Sequence, residues 1–198
     1  MDNKKKFHHG DLKNALLKVT IEKIDRESVN AVSIRSVAKA AGVSHAAPVN
    51  HFEDRQALLT SVATEIFKDI NKQVERKLKP KPNAAQVRLA TTAQVLYRYG
   101  LKHPNRYELL WRSDLINHKD EALLAVMDVL YYGTQIDVED KLPETGYDDD
   151  TVAVLMWSLV HGYVDLRAKG MFVDRKDKKT GKKRFNAMLS LLETKLFG

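Results

Sequence analysis

Cysteine does not occur among the 198 residues of this sequence. Its absence excludes disulfide bonds, a thiolate nucleophile, a zinc site built from cysteines and thiol-based redox sensing. The remaining composition, 43% hydrophobic and 30% charged, is that of an ordinary globular protein. These properties fit an intracellular protein.

Long hydrophobic runs are also absent. The longest stretch without a charged residue, Thr151 to Val164, is well short of the roughly 20 apolar residues that span a bilayer. No apolar run with a small-residue cleavage site follows the basic start MDNKKKFHHGDL, residues 1–12, so this start does not have the form of a signal peptide. We therefore expect no membrane span, and we interpret the start as a basic arm.

Acidic residues are outnumbered by basic residues, 26 to 33, which gives a formal net charge of +7 and an isoelectric point of about 9.4. This balance favours a polyanionic partner such as nucleic acid or an anionic membrane surface, and charge alone does not choose between them. The lysines of the basic arm, Lys4, Lys5 and Lys6, could enter a DNA minor groove or form a solvated tail.

Strict alternation of apolar and polar residues, the mark of a β-strand, is missing as well. Apolar residues instead recur at helical spacing, which predicts an all-α fold. In the longest such pattern, six apolar residues step every four positions: Leu58, Val62, Ile66, Ile70, Val74 and Leu78. A helix of this length, about 35 to 40 Å, can join two domains. We predict a small N-terminal domain over residues 1–55 and a larger helical domain over residues 56–198.

The segment AKAAGVSHAAPVNHF, residues 38–52, combines small residues with signals for a turn. A helix-turn-helix needs a small residue where its helices cross, as at Ala38, and a turn residue that accepts positive φ, as at Gly42. Val43 can fill the core from the turn, and Ser44 can cap a second helix. An ordinary helical hairpin can have the same spacing, so the pattern needs context.

Three stretches together resemble the TetR family of bacterial transcription regulators: VSIRSVAKAAGVSHAAPVNHFEDRQALL (residues 32–59), FHHGDLKNALLK (residues 7–18) and MWSLVHGYVDL (residues 156–166). The last two resemble the branch with a Trp-His-Gly signature in its ligand domain. The resemblance implies a three-helix helix-turn-helix DNA-binding domain, followed by a helical domain for effector binding and dimerisation. It also implies a cytoplasmic homodimer in a bacterium, more often a repressor, that a small-molecule effector releases from a palindromic DNA operator.

By this resemblance, a helix over residues 44–52 lies in the major groove of the operator. Ala46 and Ala47 keep its surface thin enough for close approach and for contact with a thymine methyl group. The predicted DNA-binding residues of this helix are Ser44, His45, Ala46, Ala47, Val49, Asn50 and His51. Phosphate contacts at its flanks are predicted for Ser33, Arg35, Lys39 and Arg55.

Two residues of this helix depart from the usual pattern of the family. Val49 stands where an aromatic residue, commonly tyrosine, is usual, and Asn50 where a basic residue is frequent. Pro48 is shared with this branch but removes an amide donor, so we expect the helix to start late or to bend. Val49 and Asn50 leave a second hypothesis open, a helical sensor or scaffold that keeps the fold and no longer reads DNA.

Two sets of residues are expected in the larger domain. The effector pocket is predicted to be lined by apolar and aromatic side chains, namely Tyr97, Tyr107, Trp111, Met127 and Trp157. The dimer interface that the resemblance implies is formed by the last two helices and their copies, with His161, Gly162, Leu189, Leu192 and Leu196. Gly162 weakens its own helix, which indicates close approach by another helix.

An enzyme remains a third hypothesis, based on Trp157, His161 and Asp165 on one helical face. These residues could form a metal or acid–base site, or simply a packed indole beside a hydrogen-bonded imidazole. The sequence has no nucleophile motif and no glycine loop that cradles phosphate. We predict that the chain is not an enzyme and uses no cofactor.

Two charged loops complete the sequence. Residues 137–150 carry seven acids and are expected to form an exposed loop. Residues 174–184 form a basic loop, DRKDKKTGKKR, which we expect to be solvated or paired with the acidic loop.

Overall fold

The structure is a computed structural model that describes residues 9–79, 85–131 and 146–197. Over these ranges the chain is helical and contains no β-strand, as the periodicity predicts. The α-helices are α1 (His9–Arg26), α2 (Ile34–Ala41), α3 (Arg55–Leu78), α4 (Ala85–Lys102), α5 (Pro104–Leu109), α6 (Glu121–Tyr131), α7 (Asp149–Ala168) and α8 (Arg184–Phe197). Two short 3-10 helices, Val29–Ala31 and Pro48–Asn50, precede α2 and α3.

Several expectations lie outside the described residues. These are the basic arm with Lys4, Lys5 and Lys6, and all of the acidic loop before residue 146. The side chain of Leu196 is also outside the described part of the chain. No described helix has the combination of length and apolar character that a membrane span requires.

The chain forms two compact units. The first contains the described residues up to Ile66 together with Asn105–Leu124, and the second contains Phe67–Pro104 and the described residues from Ala125 onward. The long helix α3 supplies its first half to one unit and its second half to the other. The functional division at residue 55, between a DNA-binding domain and an effector domain, stays a prediction.

The first unit is built around the buried faces of α1, α2 and the first half of α3. Its core includes fully buried side chains from all three helices: Leu16, Ile24, Val37, Leu58 and Leu59. Hydrogen bonds between residues far apart in sequence also stabilise this unit. The Asn105 side chain donates to the Ile24 carbonyl at 2.9 Å. The Asn117 amide likewise donates to the Thr60 hydroxyl at 2.9 Å.

The second unit has α4 against α7 as its main helix pair. The buried faces of these helices contribute Leu96, Val160 and Val164, and α8 contributes Phe185. Asp148 caps α7, since its carboxylate accepts a hydrogen bond from the Thr151 amide at 2.6 Å. That bond also lowers the pKa of Asp148.

Candidate nucleic-acid interface

Ser33 fixes the start of α2. Its hydroxyl accepts a hydrogen bond from the Ser36 amide at 3.0 Å, and its own amide donates to the Ser36 hydroxyl at 2.9 Å. This reciprocal pair is a capping box, which satisfies two backbone donors that a helix start leaves open. Arg35 and Lys39, one turn apart on α2, are both exposed. Their cationic groups therefore belong to a helix whose N-terminus is fixed by the capping box.

Gly42 ends α2 in the left-handed conformation, with φ of 69°. The Gly42 amide donates to the Lys39 carbonyl at 3.2 Å, and the Val43 amide donates to the Ala38 carbonyl at 3.1 Å. These two bonds form a Schellman motif, in which a residue with a Cβ is strained at the glycine position. The chain therefore leaves α2 in a defined direction, as the helix-turn-helix interpretation requires.

Residues 44–52 do not form the regular helix that the sequence analysis predicts. The Ala47 amide donates to the Ser44 carbonyl at 3.1 Å, and a 3-10 helix follows over Pro48–Asn50. The physical reason is Pro48, which has no N–H to donate to the Ser44 carbonyl four residues earlier. A tighter bond from Ala47 takes its place. The prediction that Pro48 delays or bends this helix agrees with this geometry.

Two buried side chains hold the segment to its unit. Pro48 is buried, and Phe52 is only 3% exposed. The ammonium group of Lys13 on α1 lies 5.9 Å from the centre of the Phe52 ring, within range of a cation–π interaction. The segment is thus anchored at its middle and its end, and its remaining residues can face solvent.

The outward surface of the segment is small, partly apolar and partly polar. Its exposed residues are Ser44, His45, Ala46, Val49 and Asn50, while Ala47 and His51 are half-buried. Val49 is 57% exposed although it is apolar. An exposed valine and alanine can contact a thymine methyl group, and the polar neighbours can bind base edges or phosphates.

Arg55, a predicted phosphate contact, also binds the backbone of its own unit. Its Nε donates to the Val32 carbonyl at 2.7 Å and its Nη2 donates to the Val29 carbonyl at 3.1 Å. These bonds stabilise the 3-10 helix before α2, so the side chain supports the fold as well as any phosphate contact. Sequence reasoning could not find these partners, because they lie 23 and 26 residues away.

The five residues predicted to line an effector pocket are divided between the two units. Tyr107 and Trp111 belong to the first unit and contact each other edge to face, with ring centres 5.7 Å apart. The second unit contains the other three, Tyr97, Met127 and Trp157. Each unit therefore holds only part of the predicted pocket.

Trp157 lines a small cavity of about 20 Å³ in the second unit, together with α4 residues such as Leu89 and Leu96. This volume is close to that of one water molecule. The Trp157 ring is stacked on Tyr131, with ring centres 5.9 Å apart. Tyr97 is stacked on Phe185 at 4.1 Å. Both aromatic side chains pack within their own unit.

A larger cavity, of about 480 Å³, was not anticipated from the sequence. It lies in the second unit between the end of α7, the loop that follows and the start of α8, and we call it the α7–α8 cavity. Its lining residues are Tyr163, Met171, Phe172, Val173, Arg175, Arg184 and Met188. The only local signal for it is the apolar trio at 171–173, which follows the glycine that ends α7.

The predicted dimer residues occupy different environments. His161 and Leu192 are half-buried, and Leu189 is buried within its own unit. Burial lowers the pKa of His161, although the Asp165 carboxylate acts in the opposite direction. A methyl group placed on Gly162 would meet nothing within 4 Å outside its own helical backbone.

Exposed apolar side chains on α7 and α8 were missed by the sequence analysis. Val154 and Leu155 are exposed on α7, and Leu191 is 64% exposed on α8. A helical hydrophobic pattern predicts which residues are apolar but does not say which of them a single chain leaves uncovered. Among the described residues, no group of three metal-ligating side chains could hold a metal ion.

Comparison with known proteins gives a consistent result. A family model described as "Tetracyclin repressor-like, C-terminal domain" matches residues 89–192. A protein of unknown function from Rhodococcus sp. RHA1 has a similar structure, with a TM-score of 0.73 and 26% identity over 98% of this chain and 100% of that chain. No curated protein matches the sequence significantly.

Two further structures share the fold at lower identity. A TetR family transcription regulator from Marinobacter aquaeolei VT8 has a TM-score of 0.62 and 17% identity, over 93% of each chain. The fatty acid degradation regulator FadR from Bacillus halodurans has a TM-score of 0.64 and 12% identity, over 94% of each chain.

Proposed function

Because this chain belongs to the family of tetracyclin repressor-like C-terminal domains and has the fold of TetR-family transcription regulators, we propose that it binds a near-palindromic DNA operator as a homodimer. In this proposal it is a bacterial repressor, and a small-molecule effector releases it from the operator. The two structures compared above that have assigned roles are transcription regulators. We therefore propose a regulatory role for this chain in preference to an enzyme with His161 at its active site.

The observation that carries the proposal is the exposed segment 44–52. Its small residues face solvent while Pro48 and Phe52 hold it to the core. Close approach to base-pair edges requires such a thin surface, since a bulky side chain would keep the backbone out of the groove. Arg35 and Lys39 are exposed on the preceding helix and provide phosphate contacts that orient the segment.

Release by an effector follows from a shift between two conformations. The effector stabilises the form whose two reading segments no longer match half-sites about 34 Å apart on the DNA. The shift can be no larger than the difference in effector affinity between the two forms. Tyr97, Met127 and Trp157 remain the proposed effector contacts of the second unit, and Tyr107 and Trp111 those of the first.

The test is to select bound fragments from genomic DNA and to measure affinity for the selected site at several salt concentrations. We expect one near-palindrome, with affinity that falls steeply as salt rises. Equal binding to a scrambled duplex at every salt concentration would contradict the proposal. A candidate effector should then weaken binding to the selected site alone.

A matched pair of variants tests the reading segment. Ala46→Glu places a bulky negative charge on the proposed DNA-facing surface, and we expect affinity to fall about a hundredfold, equivalent to about 2.7 kcal/mol. Ala122→Glu makes the same change at an exposed position of α6 and should leave affinity unchanged. An equal loss in both variants would show that net charge, and not the position of Ala46, determines the effect.

Phosphate contact is tested through the salt dependence. Lys39→Gln should reduce the slope of log affinity against log salt by about one, because one fewer counterion is released. Lys119→Gln removes another exposed charge outside the proposed surface and should leave the slope unchanged.

The same family membership supports dimerisation through α7 and α8. We propose that Leu191 and Leu155 join His161, Gly162 and Leu192 in this interface. Leu191 and Leu155 are exposed and apolar, and contact with a second copy of the chain would bury them. Leu191→Glu should give a monomer in analytical ultracentrifugation. Leu124→Glu, at an exposed leucine of α6, should leave the dimer intact, and a dimer in both variants would refute this location.

One observation favours the second candidate function, a sensor that no longer reads DNA. Residues 48–50 form a 3-10 helix in place of a regular α-helix, and Val49 cannot donate a hydrogen bond to a phosphate. A stable dimer that enriches no genomic fragment would select this alternative.

A further inference from the structure

The α7–α8 cavity has the size and wall of a small-molecule site. Its volume of about 480 Å³ lies within the range of roughly 300 to 1,000 Å³ that is usual for ligand pockets. Tyr163, Phe172 and Met188 provide an apolar wall, and Met171 and Val173 extend it toward solvent. None of the five residues predicted to line an effector pocket contributes to it.

A hairpin in the basic loop holds two arginines at one side of this wall. The Arg184 amide donates to the Arg175 carbonyl at 2.9 Å, and Lys176 pairs with Lys183 in a short antiparallel bridge. Asp177 closes the turn, because its carboxylate accepts from the Thr180 amide and hydroxyl, each at 2.8 Å. The loop is therefore ordered by its own bonds, and these bring Arg175 and Arg184 together.

The positive charge at this side is only partly balanced. Residues 174–184 contain seven basic and two acidic residues. Within the described part of the chain, the ion pair between an acid and these arginines is long, at 4.0 Å from Asp177 Oδ2 to Arg184 Nη1. The Asp177 carboxylate is also engaged by Thr180, so a ligand anion would meet a net cationic surface.

Two buried polar atoms beside the cavity lack a hydrogen-bond partner among the described residues. These are Oη of Tyr163 and Nε of Arg167. Tyr163 is 5% exposed, and its burial raises the pKa of the phenol, so the hydroxyl stays a donor. The Arg167 Nη1 atom donates to the Phe172 carbonyl at 2.5 Å, which ties this side chain to the cavity wall. A buried donor without a partner costs about 1 to 3 kcal/mol. Of the two groups, only Tyr163 lines the cavity, so its hydroxyl adds a polar point to a wall that its ring makes apolar.

We propose that the α7–α8 cavity binds an amphipathic monocarboxylate, with its hydrocarbon part on Tyr163, Phe172 and Met188 and its carboxylate at Arg175 and Arg184. Guanidinium groups bind carboxylates through charge-assisted hydrogen bonds, whereas a neutral alcohol forms weaker ones and an ammonium ion is repelled. A volume of about 480 Å³ accommodates one small free molecule. The exposed apolar residues 171–173 make a membrane surface the alternative that the test has to exclude. The binding step involves no DNA, so it can be tested whether or not the chain regulates transcription.

The test is isothermal titration of the full chain with octanoate below its critical micelle concentration. We expect saturable binding of one octanoate per chain, at least about tenfold tighter than octan-1-ol or octylammonium. The double variant Arg175→Gln/Arg184→Gln should weaken octanoate binding at least about tenfold. Lys178→Gln/Lys179→Gln makes the same change of net charge in the same hairpin and should stay within about twofold of the unchanged protein.

Four results would overturn the proposal. They are no saturable octanoate binding, equal affinity for octan-1-ol, an equal loss in the lysine control, or attachment to phospholipid vesicles without binding of free octanoate. Circular dichroism confirms that each variant folds. If the double variant does not fold, the single variant Arg175→Gln at an exposed position provides the same comparison.

Discussion

The reading region, residues 33–52, and the aromatic cluster of the second unit, Tyr97, Tyr163, Phe172 and Phe185, are stabilised in different ways. Bonds between neighbours three to five residues apart fix the reading region, as in the pair Ser33–Ser36 and the bond from Val43 to Ala38. The aromatic cluster joins side chains from α4, α7, the following loop and α8, with ring centres 4.1 to 5.9 Å apart. The first region depends on backbone conformation and the second on buried area.

This difference sets the size of the effects that substitutions should have. Loss of a large buried ring removes both transfer free energy and packing, whereas loss of a cap or a turn glycine changes the backbone free energy by less. The sequence has two tryptophans, and each unit contains one, Trp111 in the first and Trp157 in the second. Fluorescence of a variant with either tryptophan alone therefore reports unfolding of one unit at a time.

The largest effect is expected in the aromatic cluster. Phe185 is 1% exposed and stacked on Tyr97, so Phe185→Ala should lower the free energy of unfolding of the second unit by about 3 to 5 kcal/mol. Urea unfolding in a Trp111→Phe background, followed through Trp157, measures it. Phe172→Ala also removes a phenyl ring, but from an exposed position, and should lower the free energy of unfolding much less. Equal losses would show that burial does not determine the stability of this cluster.

Glycine-to-alanine substitutions should change the free energy of unfolding by less, and with opposite signs at two positions. Both Gly42 and Gly162 have room for a methyl group, but Gly42 has φ of +69°. Gly42→Ala should destabilise the first unit by about 1 to 2 kcal/mol through backbone strain alone. Gly162→Ala, inside a helix, should stabilise the second unit by about 0.5 to 1 kcal/mol. The single-tryptophan variants measure both.

The same pair also tests the interface. A methyl group at Gly162 is free of contacts in one chain, so a weaker dimer in Gly162→Ala would place a partner helix against it. If Gly42→Ala proved as stable as the unchanged protein, the left-handed turn would not have the structural importance that its two bonds indicate.

The cap of α2 should contribute about as much as one good hydrogen bond. Ser33→Ala removes the acceptor of the Ser36 amide and should lower the stability of the first unit by about 1 kcal/mol. Ser158→Ala, at an exposed position inside α7, removes a hydroxyl from a helix interior and should be neutral or slightly stabilising. Equal destabilisation in both variants would contradict a specific role for the cap.

The two regions also explain what could be predicted from the sequence. Gly42 was identified because it acts on backbone groups within a few residues, so residue type and spacing are sufficient evidence. The all-α fold was predicted for the same reason, since helical periodicity is local. The family resemblance added the hypothesis of a transcription regulator, because the local pattern alone left open a choice between a DNA-binding unit and an ordinary hairpin.

Longer-range features could not be predicted in this way. Arg55 binds carbonyls more than 20 residues away, and Phe185 stacks on a ring 88 positions earlier, with no local signal for either partner. The α7–α8 cavity likewise arises from how α7, its loop and α8 meet. Pro48 is an intermediate case, because its missing amide predicts a perturbed helix but does not specify a 3-10 turn.

The smallest effect is expected from the pH dependence of His161. Burial holds the pKa of its imidazole below the ordinary value of 6.5, and Lys169 adds to this, although Asp165 opposes it. As pH falls below about 6.5, the unfolded state takes up the proton first, so the free energy of unfolding decreases until the lowered pKa is reached. His161→Gln removes this contribution and should flatten the decrease between about pH 7.5 and about pH 5.5. His45→Gln, at an exposed histidine, is the matched control, and equal flattening in both variants would show that burial of His161 is not the cause.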